Sequence, residues 1–189
     1  MKLSHVARLR LVVGVLGMAS AIAQSPASAQ VSTSANGPYY ATPSWDQKVT
    51  TGRFVVLSNW NNEAVLDRET GLVWEQSPRT DSSDWGLASA RCLQRNKGGR
   101  TGWRLPTIQE LMSVVDQTVQ FPGPTLPAGH PFTNVQGLNY WSATAVADSP
   151  NSAWIVQFQF GTTFINDKSA LIDHSFHWCV RGGSGTDVQ

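Results

Sequence analysis

Five basic residues lie close together in the middle of the chain: Arg91, Arg95, Lys97, Arg100 and Arg104. No acidic residue lies between Asp84 and Glu110. Arg91 and Arg95 are four residues apart, a spacing that places two side chains on one face of a helix. Clustered guanidinium and ammonium groups bind sulfates and phosphates through charge-assisted hydrogen bonds. The cluster predicts an exposed anion-binding site of Arg91, Arg95, Lys97 and Arg100, unless acids from elsewhere in the fold balance it.

Arg104 is predicted to have a structural role instead. It lies in the segment GWRLP, among apolar residues, where an arginine is half-buried and must be paired. We expect its guanidinium to bond Glu110 or Asp116 and neighbouring loop carbonyls, fixing a helix to a sheet. Arg181, in the segment WCVRGG, is assigned the same structural role.

No catalytic or metal-binding pattern is recognisable in the sequence. An enzyme would need a nucleophile beside a base, or two carboxylates in a cleft, and neither spacing is present. His174 and His177 lie in or before a predicted strand, where side chains three apart point to opposite faces, so they are poor co-ligands. We therefore predict a protein that is not an enzyme, has no metal site and needs no cofactor.

Residues 1–29 are predicted to be a cleaved secretory signal peptide. Three basic residues precede the apolar run LVVGVLGMASAIA, and Ala-Ser-Ala at 27–29 forms a cleavage site, with an earlier one at 21–23. No later segment is long and apolar enough to span a membrane. We expect a soluble mature chain in the periplasm, at the cell surface or outside the cell.

Cleavage would change the sign of the net charge. The whole chain carries 14 basic and 13 acidic residues, but three of the basic ones lie in residues 1–29. The mature chain would keep 11 basic against 13 acidic residues, a net charge of about −2. This balance gives no support to binding of nucleic acid or of an anionic membrane, so an anion site must come from local clustering.

Cys92 and Cys179 are the two cysteines of the chain. In an exported protein, two cysteines most simply form one disulfide. The alternative is a redox-active or metal-binding thiol pair. We favour the disulfide because neither cysteine has a C-x-x-C or Cys/His ligand spacing.

The remaining pattern predicts one α+β domain over residues 53–183. RFVVLSNW and AVLDRETGLVWE predict strands with a hairpin at DRETG, and NYWSAT, AWIVQFQFG and FHWCVR predict late strands. In AWIVQFQFG, Trp154, Val156, Phe158 and Phe160 are expected on one face of the strand, and Ile155, Gln157 and Gln159 on the other. Two helices are expected between these sets of strands. The first is capped by Ser83 or Asp84 and carries Cys92, and the second begins with the capping box Thr107 to Glu110.

The segments outside this domain have no regular pattern. Residues 30–52 are rich in Ser, Thr, Gly and Pro and predict a flexible leader or linker, and residues 184–189 predict a loose tail. Between Asp116 and Asn139, four prolines and three glycines predict a long irregular loop. Trp45 and Trp60 lie outside the strand and helix motifs, where they would stack on sugar rings or cover an edge of the domain.

Six segments of the chain resemble a known family in their order. They are DRETGLVWE, DWGLASARC, GGRTGWRLPTIQEL, NYWSAT, AWIVQF and WCVRGG. Together they resemble the family named after the C-terminal domain of the Legionella collagen-like adhesin, the Lcl C-terminal domain, from about Phe54 to Gly183. The collagen-like repeats of that adhesin have no counterpart in this chain.

The resemblance implies a C-type-lectin-like fold, and a secreted or surface module that binds sulfated glycans in its best-known member. We therefore expect a binding module for sulfated or anionic polysaccharide in adhesion or matrix association, with a structural or protein-binding envelope component as the alternative. C-type lectins bind calcium through short sequence triplets. This chain has no full match to them, since residues 165–167 resemble one triplet only in part. We therefore expect binding that does not depend on calcium. Formylglycine-generating oxidases have a distantly similar fold, but they need a reactive cysteine pair that a disulfide would remove.

Overall fold

The computed structural model describes residues 52–170 and 175–183 of the chain. Several sequence predictions fall outside these ranges: those for the signal peptide (1–29), for nearly all of the leader (30–52), for the tail (184–189), for Trp45 and for His174.

The described residues form an α+β fold with two short helices and two antiparallel sheets. In chain order, the elements are β1 (Phe54–Val56), a 3-10 turn (Ser58–Trp60), β2 (Ala64–Asp67), β3 (Val73–Glu75), α1 (Trp85–Leu93), β4 (Trp103–Arg104), α2 (Ile108–Ser113), β5 (Asn139–Val146), β6 (Ser149–Gln157), β7 (Thr162–Asp167) and β8 (Val180–Arg181). One sheet has the strand order β1-β2-β3-β8-β4, and the other has the order β5-β6-β7. The predicted α+β class with mostly antiparallel strands is confirmed.

Local signals in the sequence begin both helices. Asp84 caps α1, and its carboxylate accepts a hydrogen bond from the Leu87 amide at 2.7 Å. Thr107 and Glu110 form the predicted capping box at the start of α2. These caps satisfy amides that the first turn of a helix leaves without an internal partner.

Within residues 52–170 and 175–183, no helix is long and apolar enough to cross a membrane.

The predicted hairpin at DRETG is present as the antiparallel pair of β2 and β3. Its turn is fixed by Asp67, whose side chain is fully buried. The Asp67 carboxylate accepts hydrogen bonds from the Glu69 amide at 3.1 Å and the Thr70 hydroxyl at 2.9 Å. Arg53 donates two further bonds to it, each of 2.8 Å. The buried charge is therefore paired and hydrogen-bonded, as burial of a carboxylate requires.

Strand β6 has the predicted alternation, but both of its faces are covered. Val156 and Phe158 lie in one apolar cluster, and Ile155, on the opposite face, is buried in another. Phe160 lies beyond the end of β6 and is 50% exposed. A strand between two apolar clusters buries both of its faces.

Strand β7 had no signal in the sequence. Its residues, TTFIND, lack an apolar alternation, and the first four of them are exposed. It pairs with β6 over its whole length, from Thr162 opposite Gln157 to Asp167 opposite Ser152. In the three-stranded sheet it is an edge strand.

Tryptophans fill much of the core. Five of them are at most 1% exposed: Trp60, Trp74, Trp103, Trp141 and Trp178. Trp60 packs edge-on against Trp103, with ring centroids 6.4 Å apart. Because Trp60 is buried, no sugar ring can stack on it, and its role is in packing.

The disulfide between Cys92 and Cys179 joins α1 to the residue before β8, with the two Cα atoms 5.4 Å apart. This confirms the predicted pairing. Both cysteines are fully buried. The bond closes a sequence separation of 87 residues. In the chain-entropy model, this closure contributes roughly 4 to 5 kcal/mol to stability.

Candidate anion-binding site

Three of the four predicted ligand residues have a carboxylate partner in the structure. Arg91 lies 2.8 Å from Asp81, Arg95 lies 2.7 Å from Glu75, and Lys97 lies 3.5 Å from Glu63. The basic run is thus largely balanced by acids that the sequence places in earlier segments. Ligand binding by these four residues stays a prediction. The structure shows how far each charged group is already engaged with a carboxylate.

Arg95 is the residue for which the expected exposure is wrong. Its side chain is 15% exposed, and that of Glu75 is 1% exposed. The other Glu75 carboxylate oxygen accepts a hydrogen bond from the Cys179 amide at 3.0 Å. Burial raises the pKa of Glu75, while the Arg95 charge and the Cys179 amide act to lower it. The physical reason is that α1 ends at Leu93, so Arg95 lies beyond the helix, where its guanidinium pairs with Glu75 at the end of β3.

Arg91 belongs to a surface network instead. Asp81 lies between Arg91 and Arg79, whose Nε is 2.6 Å from the Asp81 carboxylate. The Arg79 hydrogen bond is the main cause that lowers the pKa of Asp81 to about 2. The Asp81 side chain is 42% exposed, so these pairs are screened by solvent and contribute little to stability.

The loop that carries Lys97 and Arg100 is held rigidly against the core. The two residues exchange backbone hydrogen bonds of 3.0 and 3.2 Å across a tight turn. Gly98, inside this turn, has a φ of +57°, and a Cβ added to it would lie 2.3 Å from the Cβ of Trp60. Its amide also donates to the Glu63 carboxylate at 2.7 Å. A glycine is required here because the loop approaches the Trp60 side chain this closely.

Arg100 and Arg181 meet at the Trp60 ring. The guanidinium carbon of Arg100 lies 5.2 Å from the ring centroid, and that of Arg181 lies 5.6 Å from it. Among the described residues, neither guanidinium forms an ion pair with a carboxylate. No local pattern predicts this contact, because Trp60, Arg100 and Arg181 lie in three distant segments.

Arg104 pairs with Glu110, one of the two acids predicted for it. The two side chains form a bidentate pair with two bonds of 2.7 Å, at 20% and 16% exposure. Arg104 also donates to the carbonyl oxygens of Leu105 and Gly182. Glu110 in turn accepts a bond from the Thr107 amide at 2.8 Å. These contacts link β4, the start of α2 and the end of β8.

Residues 63–181, which include all of these basic residues, match the family model of the Lcl C-terminal domain. The match covers more than half of the 189 residues of the chain. The chain belongs to the Lcl C-terminal domain family. The resemblance seen in the six sequence segments is thereby confirmed for the family. No curated protein matches the chain at a significant level.

In this Lcl C-terminal domain, replacing Arg104 with alanine is expected to lower the free energy of unfolding by about 2 to 3 kcal/mol. The substitution leaves the Glu110 carboxylate and two carbonyl groups without their guanidinium partner. Urea denaturation measures the loss, and Arg68→Ala is the control. Arg68 is exposed and has no ion pair within the described ranges, so its loss is expected to change stability by less than about 0.5 kcal/mol. An Arg104→Ala variant as stable as the Arg68→Ala variant would contradict the structural role.

Two histidines of the Lcl C-terminal domain lie in different environments, and neither of them is grouped with metal ligands. His177 is fully buried, between the Ser83 hydroxyl and the Arg95 guanidinium. His130 lies in the long loop and stacks on Phe132 with ring centroids 5.9 Å apart. In the part of the chain that the structure describes, no group of three His, Cys, Asp or Glu residues is placed to hold a metal ion.

An exposed aromatic pair on the Lcl C-terminal domain was missed by the sequence reasoning. Phe121, in the long loop, and Phe160, at the turn after β6, stack with ring centroids 5.5 Å apart. They are 63% and 50% exposed, and Leu138 is 40% exposed. On β7, Phe164 and Ile165 are exposed to a similar degree. Exposed apolar side chains that contact each other, as Phe121 and Phe160 do, are found at interaction surfaces.

Proposed function

We propose that the protein is an exported binding module for anionic polysaccharide, with a C-type-lectin-like fold, that acts in adhesion or matrix association. The observation that carries the proposal is Arg100, an exposed guanidinium without a carboxylate partner among the described residues, on a loop fixed by Gly98. A guanidinium carried by a hydrogen-bonded loop binds an oxyanion without the cost of ordering the backbone. Membership of a family named after an adhesin domain supports the same function.

The neighbouring basic residues contribute to such a site to different degrees. Lys97 and Glu63 are 30% and 39% exposed and 3.5 Å apart, so their ion pair is weak and Lys97 is free to exchange partners. Arg91, at 27% exposure, is paired with the exposed Asp81 and can do the same. Arg95 cannot exchange partners, because the buried Glu75 carboxylate would then have no cation beside it. The revised site therefore keeps Arg91, Lys97 and Arg100.

Retention on immobilised heparin, a sulfated polysaccharide, is expected to weaken steeply as salt rises. Charges near a surface are screened over about 8 Å at physiological ionic strength. A chelator is expected to change nothing, because the residues of the proposed site are cations. Salt-gradient elution from heparin and from uncharged dextran, with and without chelator, measures both effects. Elution that needs the chelator, or equal retention on dextran, would contradict the proposal.

A triple variant tests the site itself. Replacing Arg91, Lys97 and Arg100 with serine is expected to weaken binding to heparin by at least about tenfold, with little change in melting temperature. Arg95 is left in place so that the fold is not disturbed. The control is Arg68→Ser, which removes an exposed arginine from another segment. Parental retention by the triple variant would place the ligand elsewhere on the molecule.

The exposed apolar residues favour a second function, a protein-binding component of the cell envelope. Phe121 and Phe160 form a stacked, exposed pair, and β7 adds an exposed edge. A pull-down from envelope extract with the parent and with a Phe121→Ser, Phe160→Ser variant tests this function. A partner captured only by the parent, together with no binding to any anionic polymer on a glycan array, would favour it over polysaccharide binding.

We propose no catalytic activity for the domain. The contact that most nearly resembles a catalytic pair is that of the Ser83 hydroxyl and the His177 Nδ1, at 3.4 Å. Ser83 is 3% exposed and His177 is fully buried, so a substrate has no access to them. Both cysteines are held in the disulfide, which argues against an oxidase that uses a cysteine pair.

A further inference from the structure

We propose that Arg100 and Arg181 together form the oxyanion-binding element of the domain, which holds a sulfate ester or a carboxylate group of a polysaccharide. The inference rests on the proposed function and specifies the chemistry of its site. It also gives Arg181, which the sequence suggested to be purely structural, a direct contact with the ligand.

The two guanidinium groups are brought together by one aromatic ring. Both lie against Trp60, at 5.2 and 5.6 Å from its centroid. Since both guanidinium carbons lie within 5.6 Å of one point, the two like charges are at most about 11 Å apart and repel each other. A cation over an indole ring gains only about 0.5 to 1 kcal/mol at an exposed site. An oxyanion that accepts hydrogen bonds from both groups would supply the missing negative charge.

Each arginine keeps donors available for that anion. The Nε of Arg181 donates to the Thr101 carbonyl at 2.8 Å, and its two terminal amino groups have no hydrogen-bond acceptor in the described segments. The guanidinium of Arg100 donates no hydrogen bond to any residue that the structure describes. Arginine presents its donors in a planar fork that matches carboxylate and sulfate geometry.

Both arginines are also fixed at their backbones. The Arg100 carbonyl accepts a hydrogen bond from the Trp103 indole at 2.8 Å, and the Arg100 amide bonds the Lys97 carbonyl. Arg181 lies in β8, between Val73 of β3 and Trp103 of β4. A site on fixed elements loses little conformational entropy when it binds its ligand.

The other cations of the described ranges are less suited to this role. Six of them form ion pairs: Arg53, Arg79, Arg91, Arg95, Lys97 and Arg104. Lys168 donates to the Pro150 carbonyl and lies over the Trp85 ring, and Arg68 shares no ring contact with a second cation. Arg100 and Arg181 are the unpaired cations that meet at one ring.

The test compares Arg100→Gln, Arg181→Gln and the double variant on immobilised heparin. Each single variant is expected to lower affinity by about tenfold or more, and the double variant is expected to lose less than the product of the single losses. Such coupling arises when two residues hold the same group. The matched control is Arg68→Gln, and melting temperatures establish that each variant is folded. If Arg181→Gln fails to fold, Arg181→Lys replaces it, because lysine keeps the charge and loses the fork.

Hyaluronan, which carries carboxylates and no sulfates, identifies the group that is held. Binding to heparin alone points to the sulfate ester, and binding to both polymers shows that a carboxylate is sufficient. Parental affinity in folded Arg181→Gln or Arg181→Lys would overturn the paired site while leaving the proposed function standing. Failure of the parent to bind either polymer would overturn the proposed function itself.

Discussion

Replacing Arg95 with methionine is expected to lower the free energy of unfolding by about 3 to 5 kcal/mol at pH 7. Methionine keeps most of the apolar length of the side chain but leaves the Glu75 carboxylate, at 1% exposure, without its cation. The Cys179 amide would remain as the hydrogen-bond partner of Glu75, and one amide does not compensate a buried charge. Urea denaturation at pH 7 measures the loss.

Two further variants separate the buried charge from the loss of packing. Arg91→Met removes the neighbouring arginine on α1, whose partner Asp81 is 42% exposed, and is expected to cost less than about 1 kcal/mol. Adding Glu75→Gln to Arg95→Met is expected to restore part of the stability, since a neutral amide then replaces the buried carboxylate. Equal losses for Arg91→Met and Arg95→Met would show that Arg95 is an ordinary surface residue.

The loss in Arg95→Met is also expected to depend on pH. Burial already raises the pKa of Glu75, and removal of the Arg95 charge takes away the main effect that opposes the shift. A carboxyl group whose pKa is raised in the folded state destabilises the fold as pH rises through that pKa. The variant should therefore be closest to the parent in acid and furthest from it at neutral pH.

The parts of the fold that could be predicted from sequence are those with local signals. The caps at Asp84 and Thr107 and the turn at DRETG each depend on side chains within a few residues of the backbone groups they satisfy. The Cys92 to Cys179 bond was predictable for a different reason, since two cysteines allow only one intramolecular pairing.

The partners of the basic cluster could not be predicted in the same way. The spacing predicts that Arg91 and Arg95 share one helical face, but α1 ends at Leu93 and Arg95 lies beyond it. The sequence says nothing about what packs against either side chain. Glu75, at the end of β3, makes one of them a buried structural residue, and Asp81 leaves the other at the surface. The contact of Arg100 and Arg181 across Trp60 is equally non-local. Long-range packing therefore decides which of the basic side chains remain available to bind an anion.

Apolar periodicity is least informative for a strand that has two buried faces or none. Strand β6 buries Ile155 on one face and Val156 on the other, so its burial does not follow a period of two there. Strand β7 exposes the neighbouring residues Phe164 and Ile165, and it is hydrogen-bonded along its length to β6. Pairing of the backbone, which sequence patterns report poorly, defines this strand.

His177 is expected to make the domain sensitive to acid between pH 6.5 and about 4. Its Nε2 lies 3.4 Å from the Arg95 guanidinium, which can only donate, so we infer that Nε2 is unprotonated and that Nδ1 carries the hydrogen facing the Ser83 hydroxyl. Burial, followed by the charges of Arg95 and Arg91, lowers the pKa of His177 from 6.5 to about 4. The folded state therefore holds the neutral imidazole.

The sign of the effect follows from proton uptake. Between pH 6.5 and about 4 the unfolded chain binds a proton at His177 that the folded chain does not, so stability falls as pH falls. The separation of the two pKa values corresponds to a loss of about 3 kcal/mol at the acid end of this window. Urea denaturation from pH 7 to pH 4 measures the slope, and His177→Gln is expected to flatten it. His130→Gln is the control for the loss of an imidazole, because burial lowers the pKa of His130 as well. A His177→Gln variant with the parental slope would show that carboxylates, and not this imidazole, set the acid sensitivity of the domain.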